Sequence, residues 1–203
     1  FNSTYTKNET FYTPTKEIQT PTMNSNQNIY YTENKEYKAI KLPYEAQNDK
    51  KAPSMIIILP KNQENTTKLN QLTLNQIQEL KNNLKKSYVE IKLPKFQYKT
   101  KYDKEMKQSL KNLGIQKAFT AGANFNGMTT KPNDLFISQV IHNAYINVDE
   151  NGTEAAAATA ITLIESEPSQ KNKFHANHPF TYIIQDHNQN ILFIGKLTNP
   201  KTK

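Results

Sequence analysis

Gly152-Thr-Glu-Ala-Ala-Ala-Ala-Thr-Ala160 draws eight of its nine residues from Gly, Ala and Thr. Alanine is the best helix former, so propensity alone predicts a short helix over residues 154–160. A helix that short does not persist in water without packing, and these side chains are too small to supply any. The stretch instead fits a loop that can slide between other elements. It separates segments with strand character, so the chain is expected to build a sheet-rich fold around a small-residue loop.

The flanks agree. Upstream, residues 135–148 mix apolar and polar side chains and read as one long strand. Downstream, residues 180–185 and 191–197 read as two more strands joined by a turn at Asp186-His-Asn-Gln-Asn190. Residues 54–60 form a continuous apolar run closed by Pro60, whose length and β-branched isoleucines fit a strand buried on both faces. Short strands are expected around Phe11-Tyr12 and residues 18–23, then at 29–32 and 37–42 across the turn-forming Glu33-Asn34-Lys35. Val89, Ile91 and Leu93 alternate with polar residues, and an alternation continues through Phe96, Tyr98 and Thr100.

Two helices interrupt the strands. Thr73 is placed to cap one in which Leu74, Ile77, Leu80 and Leu84 recur near the helical period. Asp103 is placed to cap a second that runs through Met106 and Leu110 and stops at Gly114. The expected class is α+β, dominated by β, with about eight mostly antiparallel strands and two or three helices.

The 203 residues suffice for one domain with a core. No cysteine is present, which excludes disulfides, a thiol nucleophile and cysteine-based zinc sites. No apolar run approaches the length of a membrane-spanning helix. The chain begins at Phe1 without a visible signal peptide. Net charge is +8, with lysines concentrated at Lys50-Lys51 and over residues 81–111. Acidic residues interleave with them and no nucleic-acid-binding motif occurs, so a solvated basic face is the expected reading and a polyanion surface the alternative.

Enzyme chemistry finds no support. His175-Ala-Asn-His178 has metal-ligand spacing without a third ligand, so both histidines read as structural. His142, set among apolar residues, reads as a core histidine. No serine sits in a Gly-x-Ser-x-Gly elbow, and no Gly-x-Gly-x-x-Gly loop occurs. No cofactor is expected.

Several motifs then converge. Residues 140–159, containing Asn147-Val-Asp-Glu-Asn-Gly-Thr-Glu-Ala155, resemble the last central strand and loop hinge of the serpin family of protease inhibitors. Phe174-His-Ala-Asn-His-Pro-Phe180 resembles the segment that follows the loop, with Asn177 where Asp is usual. Ile191-Leu-Phe-Ile-Gly-Lys196 with Asn199-Pro200 matches the closing strand, and Leu93-Pro-Lys-Phe96, Tyr102-Asp103, Leu113-Gly-Ile115 and Ala118-Phe119 follow the family order. Phe1 to Tyr5 resembles the Phe-x-x-x-Trp segment, with Tyr5 in place of Trp. The resemblance runs through residues 1–203 but corresponds to a partial serpin domain lacking its amino-terminal half.

The resemblance implies strands of the three serpin sheets and an exposed reactive-centre loop at 152–173. It implies inhibition of a serine protease by a suicide substrate, through loop cleavage, acyl-enzyme trapping and strand insertion. The alternative is a non-inhibitory member that binds, chaperones or stores. The hinge would comprise Gly152, Thr153, Glu154, Ala155, Ala156, Ala157, Ala158 and Thr159. Family spacing puts the cleaved bond between Ser166 and Glu167. Ser166 suits an elastase-like pocket; in a shifted register Leu163 or Ile164 would bait a chymotrypsin- or subtilisin-like enzyme, and Glu165 a glutamate-specific one. No Lys or Arg occurs over residues 152–170, which disfavours trypsin-like targets. The resemblance further implies a Glu150–Lys95 pair at the top of the central sheet, a role for His142 where that sheet opens, and a secreted or extracellular location. Neither nucleic acid nor membrane is an expected partner.

Overall fold

A computed structural model describes residues 1–44, 52–63, 69, 71–129, 135–152 and 171–200. Strands dominate it. They are β1 (Lys7–Tyr12), β2 (Glu17–Glu33), β3 (Tyr37–Pro43), β4 (Ser54–Pro60), β5 (Lys85–Pro94), β6 (Phe96–Tyr102), β7 (His142–Val148), β8 (Asn172–His175), β9 (Phe180–Gln185) and β10 (Ile191–Leu197). Two α-helices, α1 (Leu74–Asn82) and α2 (Lys104–Asn112), complete the set, with 3-10 turns at Ser3–Tyr5 and Lys117–Phe119.

Eight strands join in one sheet of order β10-β9-β4-β3-β2-β5-β8, with β1 also paired to β2; β6 and β7 form a separate ribbon. The resemblance implies three sheets, whereas the described strands hydrogen-bond into two. The reason is the 17-residue length of β2. Its residues 22–31 pair with β5, while its start pairs with β1 and its end with β3. One strand thus stitches together pairings that would otherwise belong to different sheets. All described pairs in the large sheet are antiparallel except β5 with β8, where Val89, Glu90, Ile91 and Lys92 lie beside Asn172, Lys173, Phe174 and His175.

The chain divides into two compact units, one of residues 1–97 and 147–203 and one of residues 98–146. The core of the first follows from β4, whose seven residues are all buried. Alternate side chains of a strand point to opposite faces. Ile56 and Ile58 meet Ile77 and Leu80 of α1, together with Tyr37, Ala39 and Ile183. Elsewhere Phe96 packs edge-on against Phe180 at 6.0 Å and obliquely against Tyr182 at 5.5 Å between ring centroids. Val89, Ile91 and Leu93 of β5 are buried, as their alternation predicts.

Helix α1 starts as its sequence predicts: Thr73 accepts from the Gln76 backbone and the Gln76 side chain accepts from the Thr73 backbone, a closed capping box. Leu74 nevertheless faces solvent and Leu84 lies past the helix, so only Ile77 and Leu80 are its buried anchors.

In the second unit α2 ends at Gly114, whose φ of 97° is the left-handed value glycine adopts freely. Asp103 makes no side-chain cap; its Oδ2 instead accepts from Gln139 Nε2 at 2.6 Å. The long strand expected over residues 135–148 shortens to β7. Residues 135–141 carry Leu135, Phe136 and Ile141 half-exposed and have no strand partner among the described residues. Apolar composition alone does not make a strand without an adjacent edge to pair with.

Gly195 in β10 lies against the Tyr182 ring, where an added Cβ would overlap it. Tyr182 is buried in the first unit's core and cannot swing aside freely. Gly195→Ala should therefore lower stability by about 1–3 kcal/mol, as overpacked substitutions do, read as a drop in the denaturant midpoint at unchanged slope.

Candidate functional site

The approach to the small-residue segment is a tight turn. Asp149 and Gly152 exchange both backbone hydrogen bonds at 3.1 Å, and Asp149 Oδ1 accepts from the Asn151 N–H at 2.9 Å. Gly152 has φ 108°, a conformation that side-chain-bearing residues rarely adopt. This turn aims Glu150 inward. Its Oε2 accepts from Lys95 Nζ at 2.6 Å and its Oε1 from Thr6 Oγ1 at 2.6 Å. The Glu150 side chain is only 11% exposed and that of Lys95 31%. Burial works against the Glu150 charge, but the hydrogen bonds from Lys95 and Thr6 outweigh it and hold the carboxyl below its ordinary range.

Lys95 is fixed in turn. It directly follows β5, and its N–H donates to the Pro21 carbonyl at 2.8 Å. Sequence spacing gives no hint of Thr6, which lies 144 positions from Glu150. Its only local signal is a hydroxyl beside Tyr5.

The segment's other end is held by the same strand. β8 pairs with β5 in parallel, Phe174 is fully buried, and the Ala176 N–H donates to the Lys92 carbonyl at 2.8 Å. Side chains reinforce the pairing. His175 Nε2 lies 2.7 Å from Glu90 Oε1, and Lys171 Nζ lies 3.6 Å from Glu90 Oε2. Burial opposes the Glu90 charge, and His175, Lys171 and Lys173 together lower its pKa. Lys92 pairs with Glu9 of β1 at 2.9 Å. Glu9 and Glu90 escaped the sequence reading because an isolated glutamate in a polar strand has no distinguishing pattern.

His178 is 5% exposed, and burial lowers its pKa although the Pro60 carbonyl, 2.8 Å from Nε2, favours protonation. A neutral ring donating from Nε2 can pair with Asn177 at Nδ1 only as an acceptor, so the Asn177 amide must present its NH2 there. His175 and His178 therefore have protein partners, and among the described residues no cluster of three or more His, Cys, Asp or Glu is arranged to hold a metal.

His142 departs from the core reading: it is exposed at the start of β7 and stacks on Tyr102 at 6.3 Å between ring centroids. The cause is its position at the strand end, where the apolar neighbour Ile141 is itself half-exposed. Of the hinge, Gly152 alone is described. Thr153, Glu154, Ala155, Ala156, Ala157, Ala158 and Thr159, and the bond between Ser166 and Glu167, lie outside the described residues.

Lys95→Ala would leave the Glu150 carboxylate with Thr6 as its side-chain partner. Loss of a hydrogen bond to a charged group should cost about 2 kcal/mol in chemical denaturation, and Glu150→Gln, which keeps a hydrogen-bond acceptor, should cost less. The His178 shift has a definite sign. Because the folded ring resists the proton that the unfolded chain accepts near the ordinary value of 6.5, stability should fall as pH drops below that value. The same titration on His178→Gln should show a shallower pH slope.

Residues 1–200 match the profile of the family described as Serpin (serine protease inhibitor). A serpin-like protein of Thermococcus kodakarensis is 36% identical over 99% of this chain and 46% of its own length. Serpin-Z1C of Triticum aestivum is 36% identical over 98% of this chain and 52% of its own. Among solved structures, Serpin48 of the insect Tenebrio molitor, described as highly specific, superposes with TM-score 0.81 at 31% identity, covering 99% of this chain and 52% of that one. The native-state structure of the thermophilic serpin tengpin gives TM-score 0.78 at 29% identity over 98% of this chain and 51% of that one. The chain spans about half the length of the curated relatives it matches.

Proposed function

Because the chain belongs to the serpin family, we propose that its full-length protein inhibits a serine-type endopeptidase as a suicide substrate, with residues 152–173 as the bait loop. The observation that carries this reading is the hold that β5 and Lys95 have on both ends of that segment: Glu150 is bound to Lys95, and β8 is paired to β5. A substrate loop held at both ends presents its middle to a protease, and a cut frees one part without releasing the other.

The chemistry would run as follows. The protease serine adds to the Ser166 carbonyl, the Ser166–Glu167 peptide bond breaks, and the Glu167 amine leaves with a proton from the protease's own base. The protease is then esterified to Ser166. The freed segment from Thr153 enters the central sheet as a new strand, with Thr153, Ala155, Ala157, Thr159, Ile161 and Leu163 on one face. That face begins small, which eases entry, and becomes apolar, which fills core. Residues 153–166 extended as a strand span ~46 Å, enough to carry the attached protease across a domain. The uncleaved state is then kinetically protected rather than the most stable one. In this reading the Glu150–Lys95 pair holds the loop's exit at the gate through which the strand enters; His142 is assigned a role in sheet opening by the family resemblance alone.

Ser166 points to an elastase-like target with a small, neutral specificity pocket. Incubation of the full-length protein with elastase, subtilisin and a glutamate-specific protease should give a detergent-resistant covalent complex with elastase. Cleavage at Ser166–Glu167 without a complex would move the reading to a non-inhibitory member. Thr153→Arg places a charge on the inserting face and should convert the protein from inhibitor to substrate, lowering complex yield at least about tenfold, since burying an unpaired charge costs several kcal/mol. Undiminished complex formation by that variant would contradict strand insertion.

A further inference from the structure

Two of the five glycines follow asparagine: Gly127 after Asn126 and Gly152 after Asn151. Asparagine is thermolabile, and its loss of ammonia begins when the backbone nitrogen of the next residue attacks the side-chain carbonyl carbon. Glycine leaves that nitrogen without a neighbouring Cβ, so ring closure meets least hindrance at Asn-Gly. Asn151 is exposed to the water that the reaction consumes, and among the described residues no group holds its side-chain amide.

The structure adds a restraint. The attacking atom, Gly152 N, carries the proton donated to the Asp149 carbonyl at 3.1 Å, while the Gly152 carbonyl accepts from the Asp149 N–H. Asp149 Oδ1 fixes the intervening peptide by accepting from the Asn151 N–H at 2.9 Å. The Gly152 φ of 108° belongs to this closed turn. Ring closure needs the Gly152 amide to lose its proton and turn toward Asn151 Cγ, so the turn must first open locally. At Asn126 the turn closes elsewhere: the Met128 N–H donates to the Phe125 carbonyl at 2.8 Å, and the Gly127 N–H donates to no described residue.

We propose that Asn151–Gly152 is a self-modification site, where a spontaneous deamidation gated by this turn converts Asn151 to aspartate or isoaspartate and unfastens Glu150 from Lys95. Gly152 N bonds to Asn151 Cγ, the Cγ–Nδ2 bond breaks, and ammonia leaves with the proton of the Gly152 amide. Water then opens the succinimide. Its attack at Cγ gives aspartate; its attack at the main-chain carbonyl carbon gives isoaspartate, whose backbone runs through Cβ and Cγ. Either product sets a third carboxylate directly after Asp149 and Glu150, repelling the charge that Lys95 holds. Isoaspartate also lengthens the backbone of the turn, which takes Gly152 out of register with Asp149.

The chemistry needs no protease, and its test does not involve inhibition. Full-length protein incubated at mildly alkaline pH, folded or in denaturant, can be followed by peptide mass spectrometry and an isoaspartate-specific methyltransferase. Asn151 should convert in both, at least about fivefold more slowly in the folded chain, the scale of one backbone hydrogen bond. Asp149→Ala removes the side-chain hold on the Asn151 N–H. It should speed conversion of folded Asn151 and leave Asn126, in the other compact unit, at its original rate. Asn151→Gln, which would have to close a larger ring, should keep its amide throughout. In the fully converted protein Lys95→Ala should cost less stability than in the fresh one. Equal rates for folded and unfolded Asn151 would overturn the proposal, as would a folded Asn151 unconverted after weeks. An undiminished effect of Lys95→Ala in the converted protein would contradict the release of Glu150.

Discussion

Strand β5 is the constraint on which the other features depend. Its Val89, Ile91 and Leu93 are buried, so the strand cannot shift without uncovering core; each such side chain is worth about 2 kcal/mol in burial alone. One edge is paired with β2 over ten residues, and the other accepts β8 in parallel. Lys95 follows directly. A strand that is immobile by packing thus supplies both anchors of the small-residue segment, one through backbone hydrogen bonds and the other through an ion pair.

The two anchors differ in kind. At β8 the grip is a ladder of backbone bonds, backed by buried Phe174 and the Glu90–His175 contact. At Glu150 it is a few hydrogen bonds to one carboxylate at the end of a glycine-terminated turn. The first resembles the interior of a sheet and resists opening; the second can be exchanged for other partners at modest cost. The asymmetry matches a loop that stays fixed at its carboxyl-terminal end and moves at its amino-terminal end.

Much of this was legible in the sequence, for identifiable reasons. The buried run of β4, the alternation of β5 and the Thr73 capping pattern each use local chemistry that survives in the fold. Glycine 114 marks the end of α2 because only its backbone takes the needed φ without strain. The errors came where pairing rather than composition decides. Residues 24–28, between two expected short strands, are too polar to announce a strand, yet they lie within the 17-residue β2 because β5 pairs along them. Residues 135–141 are apolar enough to announce one and lack a described partner. Thr6, Glu9 and Glu90 were invisible because their partners lie 81 or more positions away. The family motifs located Glu150 and Lys95, which no local pattern would have joined.

The proposed function turns on the segment beginning at Thr153 completing a sheet once it is cut. Thermal unfolding of the full-length protein before and after a single cleavage within residues 160–170 tests this without reference to any target protease. A cleaved form that unfolds at a markedly higher temperature than the intact one is the expected result. A cleaved form that unfolds at the same or a lower temperature, as for an ordinary nicked loop, would contradict the account.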